Sequence, residues 1–328
     1  MKQFDTHRIF NITNADEFDT LALDVFRFQY GNNKVYQQFC DYLKKSPQKV
    51  SLLEEIPFLP ISFFKSHKVL STQKEAKTIF TSSGTTQSIT SKHYVPDLKL
   101  YEKSFLKAFK TFYGSPEELC ILALLPSYLE REGSSLIYMV KSLIEKSEHP
   151  ESGFYLHNLE ELHQKLQDLD KSGKKTLLIG VSFALLDLAE QFPVHLKNTI
   201  VLETGGMKGR RKELIREELH QILKQGLGVN KIHSEYGMTE LLSQGYSKGE
   251  GIFQTPPWMK IITRDTEDPL TIQSNGKTGG INVIDLANIY SCSFIATQDL
   301  GKTYPNGTFE VLGRFDDSDI RGCNLMVL

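Results

Sequence analysis

Apolar residues recur at Leu98, Tyr101, Phe105, Ala108, Phe109 and Phe112, which is the three-and-four spacing of one helical face. Asp97 stands where an N-cap belongs and Gly114 where a helix stops. Short apolar runs then alternate with amphipathic stretches. Strands are predicted over 119–125, 154–157, 176–180 and 199–202, and helices over 134–146, 158–169, 183–191 and 210–224, the last stopping at Gly226. This rhythm predicts an α/β fold with a parallel, doubly wound sheet. Residues 1–50 read as helical, with Phe26, Phe28, Tyr36 and Phe39 available for packing. Two prolines keep 56–61 extended. Beyond Gly245 the pattern turns to strands, punctuated by Pro256-Pro257, Asn275-Gly276, Gly279-Gly280 and Asn306-Gly307 as turn signals. The expected organisation is an α/β region over 1–245 and a β-rich subdomain over 246–328.

With 328 residues, 40% hydrophobic and 24% charged, the chain is globular in composition. Its net charge of -2 gives no basic field for nucleic acid. No apolar run reaches the length of a membrane span, and the first residues lack a secretory apolar region. Cys40, Cys120, Cys292 and Cys323 have neither metal-type spacing nor the density of a disulfide scaffold, so a cytoplasmic location is expected. Cys40, Cys120 and Cys292 read as core residues.

Chemistry concentrates in a few stretches. Between Thr81 and Ser91 eight of eleven residues carry a hydroxyl, Gly84 frees the backbone, and Lys92 follows. Such a loop can wrap a polyphosphate with N–H groups, hydroxyls and one cation. By composition alone a solvated linker is the favoured reading. Thr204-Gly205-Gly206-Met207-Lys208-Gly209 follows a predicted strand, and three glycines in six residues allow close approach to a ligand. In Tyr236-Gly237-Met238-Thr239-Glu240 an aromatic face suits a purine, a hydroxyl suits a phosphoryl oxygen and a carboxylate suits Mg²⁺. Asp299 and Arg314 stand fifteen residues apart in Thr297-Gln298-Asp299-Leu300-Gly301 and Gly313-Arg314-Phe315-Asp316-Asp317. His93 and His233 flank two of these stretches, either as structural residues or as groups that orient a phosphate or a carboxylate.

Taken in order, these segments resemble the motifs of the adenylate-forming superfamily, with Gln87 where that family has Gly. Within it, Phe58-Leu59-Pro60-Ile61, Leu125-Pro126-Ser127-Tyr128-Leu129-Glu130-Arg131 and His233-Ser234-Glu235-Tyr236 resemble the bacterial acyl-protein synthetases, the long-chain fatty acid–protein ligases of bioluminescence. The phenylacetate-CoA ligases are similar but more distant. The resemblance implies the large N-terminal-type domain of adenylate-forming enzymes, a parallel doubly wound sheet plus a β-rich subdomain, without the small C-terminal domain that carries the usual lysine. It implies ATP and Mg²⁺ as cofactors. Thr81, Ser82, Ser83, Gly84, Thr85 and Thr86 would wrap phosphates, with Lys92 and Thr239 as catalytic groups. Gly205, Gly206, Tyr236 and Gly237 would hold adenine, Asp299 and Arg314 the ribose, and Glu240 the metal.

On its chemistry alone Cys323 reads as a small apolar residue on a final strand; the resemblance implies instead the acylated cysteine of that family. Nine residues from Arg314, it lies within ~30 Å of it, and Arg321 beside it favours thiolate. The activity implied is conversion of a carboxylic, fatty acid to acyl-AMP, followed by transfer to Cys323 and on to a partner such as a reductase, a thioesterase-type transferase or a carrier protein. Two alternatives stand beside it: an acyltransferase that takes its acyl group from a donor protein without ATP, and a degenerate nucleotide-binding or scaffold protein.

Overall fold

The structure is a computed structural model that describes residues 4–82, 90–126, 133–156, 158–206, 211–212 and 214–315. They fall into two compact units, one from Met1–Glu75 with Pro257–Leu328, the other from Ala76–Pro256.

The first unit opens with helices α1 (Ala15–Asn32) and α2 (Lys34–Tyr42), a two-residue strand β1 (Leu59–Pro60) and a single turn, α3 (Phe63–Ser66). Asn14 caps α1 by accepting from the Glu17 N–H, and Asn33 caps α2 by accepting from the Tyr36 N–H.

The second unit begins with a hairpin, β2 (Thr78–Thr81) and β3 (Lys92–Val95), and helix α4 (Leu98–Tyr113). Asp97 caps α4 and Gly114, at φ 87°, ends it, while Leu100, Tyr101, Phe105, Ala108, Phe109 and Phe112 form its buried face. Then follow β4 (Cys120–Leu124), α5 (Ser135–Ser147), β5 (Gly153–Tyr155), α6 (Leu159–Lys171), β6 (Thr176–Val181), α7 (Ser182–Gln191), β7 (Thr199–Thr204), α8 (Arg216–Leu227), β8 (Ile232–Tyr236), β9 (Gly245–Ser247) and β10 (Ile252–Gln254). The sheet of this unit runs β10-β9-β8-β7-β6-β4-β5. From β5 to β8 all pairings are parallel, and β9 and β10 are antiparallel additions. Strands β4 and β6 are buried along their whole length, as strands covered on both faces must be.

Helix α8 differs from its sequence expectation. Its first residue is Arg216, not Arg210, and it runs through Gly226 to a left-handed cap at Gly228. A Cβ at Gly226 would stand 2.5 Å from the Ala189 carbonyl oxygen. Gly226 is therefore a contact glycine against α7, which a sequence cannot distinguish from a stop.

The first unit resumes with β11 (Met259–Arg264), β12 (Thr278–Asp285), β13 (Phe294–Thr303) and β14 (Phe309–Arg314), an antiparallel meander to which β1 adds alongside β13. The N-terminal helices join these strands through buried amides. Gln29 donates to the Asn288 and Ile289 carbonyls at 3.1 and 3.0 Å and accepts from the Ser293 N–H. Asn33 donates to the Ser291 carbonyl. Tyr36 stacks on Phe294, with Phe26 and Phe58 edge-on to the same ring. The expected division at 245/246 thus contrasts with chain crossings between units at Glu75/Ala76 and Pro256/Pro257. Residues 258 positions apart make the first unit, and no local pattern announces such pairs. Among the described residues no helix is long and apolar enough to cross a membrane.

Candidate active site

In the second unit, the β2–β3 hairpin forms the stem of the hydroxyl-rich loop. Thr81 stands opposite Lys92 and Phe80 opposite His93. Ser82 N–H donates to the Ser91 carbonyl, and Ser91 N–H returns a bond to Ser82 Oγ at 2.9 Å. Thr81 N–H is held by the Gly133 carbonyl at 2.8 Å. Lys92 is exposed at the loop end of this stem. Ser83, Gly84, Thr85 and Thr86 lie outside the described residues, as does Cys323.

The stem is fastened to the Tyr-Gly-Met-Thr-Glu segment. His93 is fully buried, and its Nδ1 lies 2.8 Å from the carbonyl oxygen of Thr239. A carbonyl only accepts, so Nδ1 carries a proton and donates this bond. Residues 146 positions apart are thereby tied, and the exit strand of the loop is locked to the turn that bears Thr239 and Glu240. Leu241 N–H bonds the Met238 carbonyl at 3.1 Å to close that turn, and Glu240 is 5% exposed.

A second fastening joins the Gly-Gly turn to the same region. Strands β7 and β8 are parallel neighbours, with Thr204 opposite Glu235. Both motifs therefore leave the sheet from adjacent carboxyl ends, where open α/β sheets place their ligands. Thr204 Oγ1 donates to Glu235 Oε2 at 2.5 Å, and Ser182 Oγ donates to the Gly205 carbonyl at 2.8 Å. Gly205 has φ 69°, a conformation that favours glycine. A Cβ at Gly237 would stand 2.3 Å from Glu235 Oε1, so the glycine after Tyr236 makes room for that carboxyl. Tyr236 is buried, edge-on to Phe253 with centroids 6.1 Å apart.

Burial pushes the Glu235 carboxyl up to about 7; the Thr204 bond opposes this and the charge of Glu203 adds to it. Between pH 4.5 and about 7 the unfolded chain releases this proton and the folded chain keeps it. Folding stability therefore falls as pH rises through that window, by at most about 3 kcal/mol. Glu235→Gln removes the loss. Urea midpoints at pH 5 and pH 8 are expected to lie closer together in the variant than in the parent; equal separations would refute the assignment.

His233 behaves otherwise. Burial first, then Lys248 and Lys231, push it down to about 4, so the ring is neutral near pH 7. It packs against Tyr113, with centroids 5.7 Å apart, and its Nδ1 has no partner among the described residues. Arg211 is clamped by Asp187 and by both oxygens of Glu190 on α7, which occupies its charge. Lys208 and Arg210 lie outside the described residues.

In the first unit, Asp299 and Arg314 are directly opposed on β13 and β14. Arg314 Nε donates to Asp299 Oδ1 at 3.1 Å. The carboxylate is 6% exposed as a residue, whereas the Arg314 side chain is 74% exposed. The fifteen-residue spacing read from the sequence is thus a hairpin that closes on this pair. Missed by sequence reasoning were the bond from His93 to Thr239 and the tie between Thr204 and Glu235. Only the position of His93 beside Lys92 could have suggested the first.

Comparison with known proteins bears on the family resemblance. Residues 12–127 match the family model described as acyl-protein synthetase, LuxE. The chain is 24% identical over 331 residues to a long-chain-fatty-acid–luciferin-component ligase of Vibrio harveyi, spanning 93% of this chain and 85% of that protein. Among solved structures, ATP-bound MatB from Rhodopseudomonas palustris superimposes with a TM-score of 0.55 at 16% identity, over 74% of this chain and 50% of that one. A 2-hydroxyisobutyryl-CoA ligase in an open conformation with 2-HIB-AMP and CoA gives 0.66 at 12% identity, over 93% and 72%. This chain spans about half the length of MatB. The resemblance to acyl-protein synthetases is borne out, together with the ligase class and the fold of adenylate-forming enzymes.

Proposed function

We propose that this acyl-protein synthetase-type ligase activates a fatty carboxylate with ATP and passes the acyl group to a cysteine thiol. The observation that carries the reading is the His93–Thr239 bond. It holds the cation-bearing strand that leaves the hydroxyl loop against the turn that bears a hydroxyl and a buried carboxylate. Cation, hydroxyl and hard carboxylate are what a triphosphate with its metal requires.

In the first step the substrate carboxylate attacks the α-phosphorus. A new O–P bond forms, the bond to the β-phosphate oxygen breaks, and pyrophosphate leaves with the electron pair. The role of the chain is positioning and charge neutralisation. The hydroxyls from Thr81 to Thr86 and Lys92 hold the leaving phosphates, and Thr239 Oγ bonds the α-phosphoryl oxygen. Tyr236, Gly237 and the Gly205-Gly206 turn hold adenine; for Asp299 and Arg314 the resemblance implies a role toward ribose. Glu240 fits Mg²⁺, because a single buried carboxylate suffices where phosphates and water supply the remaining hard ligands; bound there, the ion would neutralise phosphate charge. In the second step a thiolate attacks the acyl carbon, the C–O bond to phosphate breaks and AMP leaves. A protein acceptor then takes the acyl group.

The test is exchange of labelled pyrophosphate into ATP by the full chain with a panel of straight-chain acids. Exchange that requires both acid and Mg²⁺ is expected. No exchange with any acid, with or without a candidate acceptor, overturns the reading in favour of acyl transfer without ATP or a non-catalytic role.

A further inference from the structure

Strand β13 is not regular where Asp299 stands. Ala296 pairs with Asn282 and Leu300 pairs with Gly280, so Thr297, Gln298 and Asp299 face Ile281 alone. Such a bulge turns a side chain out of the normal alternation and leaves carbonyls without ladder partners. Arg264 of β11 takes up those carbonyls. It is 8% exposed, and its guanidinium donates to the Ile281 carbonyl at 2.8 Å and the Thr297 carbonyl at 2.6 Å, one on each side of the bulge. It also donates to Asn282 Oδ1 and lies 5.8 Å from the Phe315 ring centroid, one residue past Arg314. Thr297 adds the last link, since its Oγ1 donates to the Ile281 carbonyl and accepts from the Asp299 N–H.

The glycines beside it are cut to this shape. A Cβ at Gly280 would stand 2.6 Å from Arg264 Cζ, and one at Gly279 would stand 2.2 Å from the Arg264 carbonyl oxygen. Gly279-Gly280, expected from the sequence to mark a turn, instead lies inside β12 and makes room for the arginine.

We propose that Arg264 is a positioning residue for nucleotide recognition: it sets the β13 bulge that aims Asp299, and through it the discrimination of the ribose hydroxyls. The inference rests on the proposed role of Asp299 toward ribose. A planar fork of donors can bridge two carbonyls on two strands, which an ammonium cannot reproduce.

The test compares equilibrium binding of ATP and 2′-deoxy-ATP to the full chain by calorimetry, for the parent, Arg264→Lys and Thr297→Val. The parent is expected to favour ATP by roughly 10- to 100-fold, the worth of one hydrogen bond to a charged group. Both variants should shrink that ratio to about threefold or less, because each loosens the bulge, while binding through the phosphates persists. A merely structural role weakens both nucleotides equally and leaves the ratio intact, which overturns the proposal. Circular dichroism and urea midpoints establish folding; if Arg264→Lys does not fold, the near-isosteric Thr297→Val decides. A parent that binds ATP without discrimination also overturns it. A parent that binds neither nucleotide overturns the functional reading and this inference with it.

Discussion

Replacement of Glu240 by Gln is expected to lower acid-dependent pyrophosphate exchange by about 10²-fold or more, the usual effect of removing one group that stabilises charge in a phosphoryl-transfer transition state. The substitution is nearly isosteric at a site 5% exposed, so the fold should survive. It changes charge while leaving shape alone. Raised Mg²⁺ should recover part of the loss if the carboxylate helps hold the ion. Exchange within about threefold of the parent would place the metal elsewhere and remove the Thr239–Glu240 turn from the chemistry.

Cys323→Ser is expected to abolish an acyl adduct cleaved by neutral hydroxylamine and to leave exchange within about twofold of the parent. The two steps use different groups, and only the second needs a thiolate. A serine hydroxyl does not ionise near neutral pH and is a poor replacement. The other three cysteines favour this assignment by their chemistry. Cys40 is buried, with its thiol pushed up to about 12 chiefly by burial. Burial likewise raises Cys292 and Cys120. Buried thiols of raised pKa attack slowly, whatever their location. Mass spectrometry after incubation with ATP and acid reads the adduct directly. An adduct that persists in the variant would move the acyl group to another residue.

The parts of this protein legible in its sequence are those set by local physics. Apolar spacing placed α4 with its cap at Asp97 and its stop at Gly114, both as found. Fully apolar runs placed β4 and β6, which need no alternation because both faces are covered. Asn306-Gly307 read as a turn signal, and there the chain returns from β13 to β14, which sets Asp299 opposite Arg314. What was not legible depends on distant residues. The helices before Asn33 pack with strands after Pro257 because Gln29 and Asn33 find backbone partners some 260 positions later, and any buried polar residue could have had other partners. Gly279-Gly280 carries the same letters whether it turns or makes space for a guanidinium. Gly226 looked like a stop because contact with Ala189 leaves no trace in helix periodicity. His93 was visible as a candidate, but its bond to Thr239 needed the fold.

A crystal structure of the full chain with a non-hydrolysable acyl-adenylate analogue tests the account most directly. The account predicts one analogue touched by Thr239 at its phosphate position and by Tyr236 and the Gly205-Gly206 turn at its base. An analogue bound away from Thr239 and Tyr236, or a saturated soak that leaves these side chains without ligand, would contradict it.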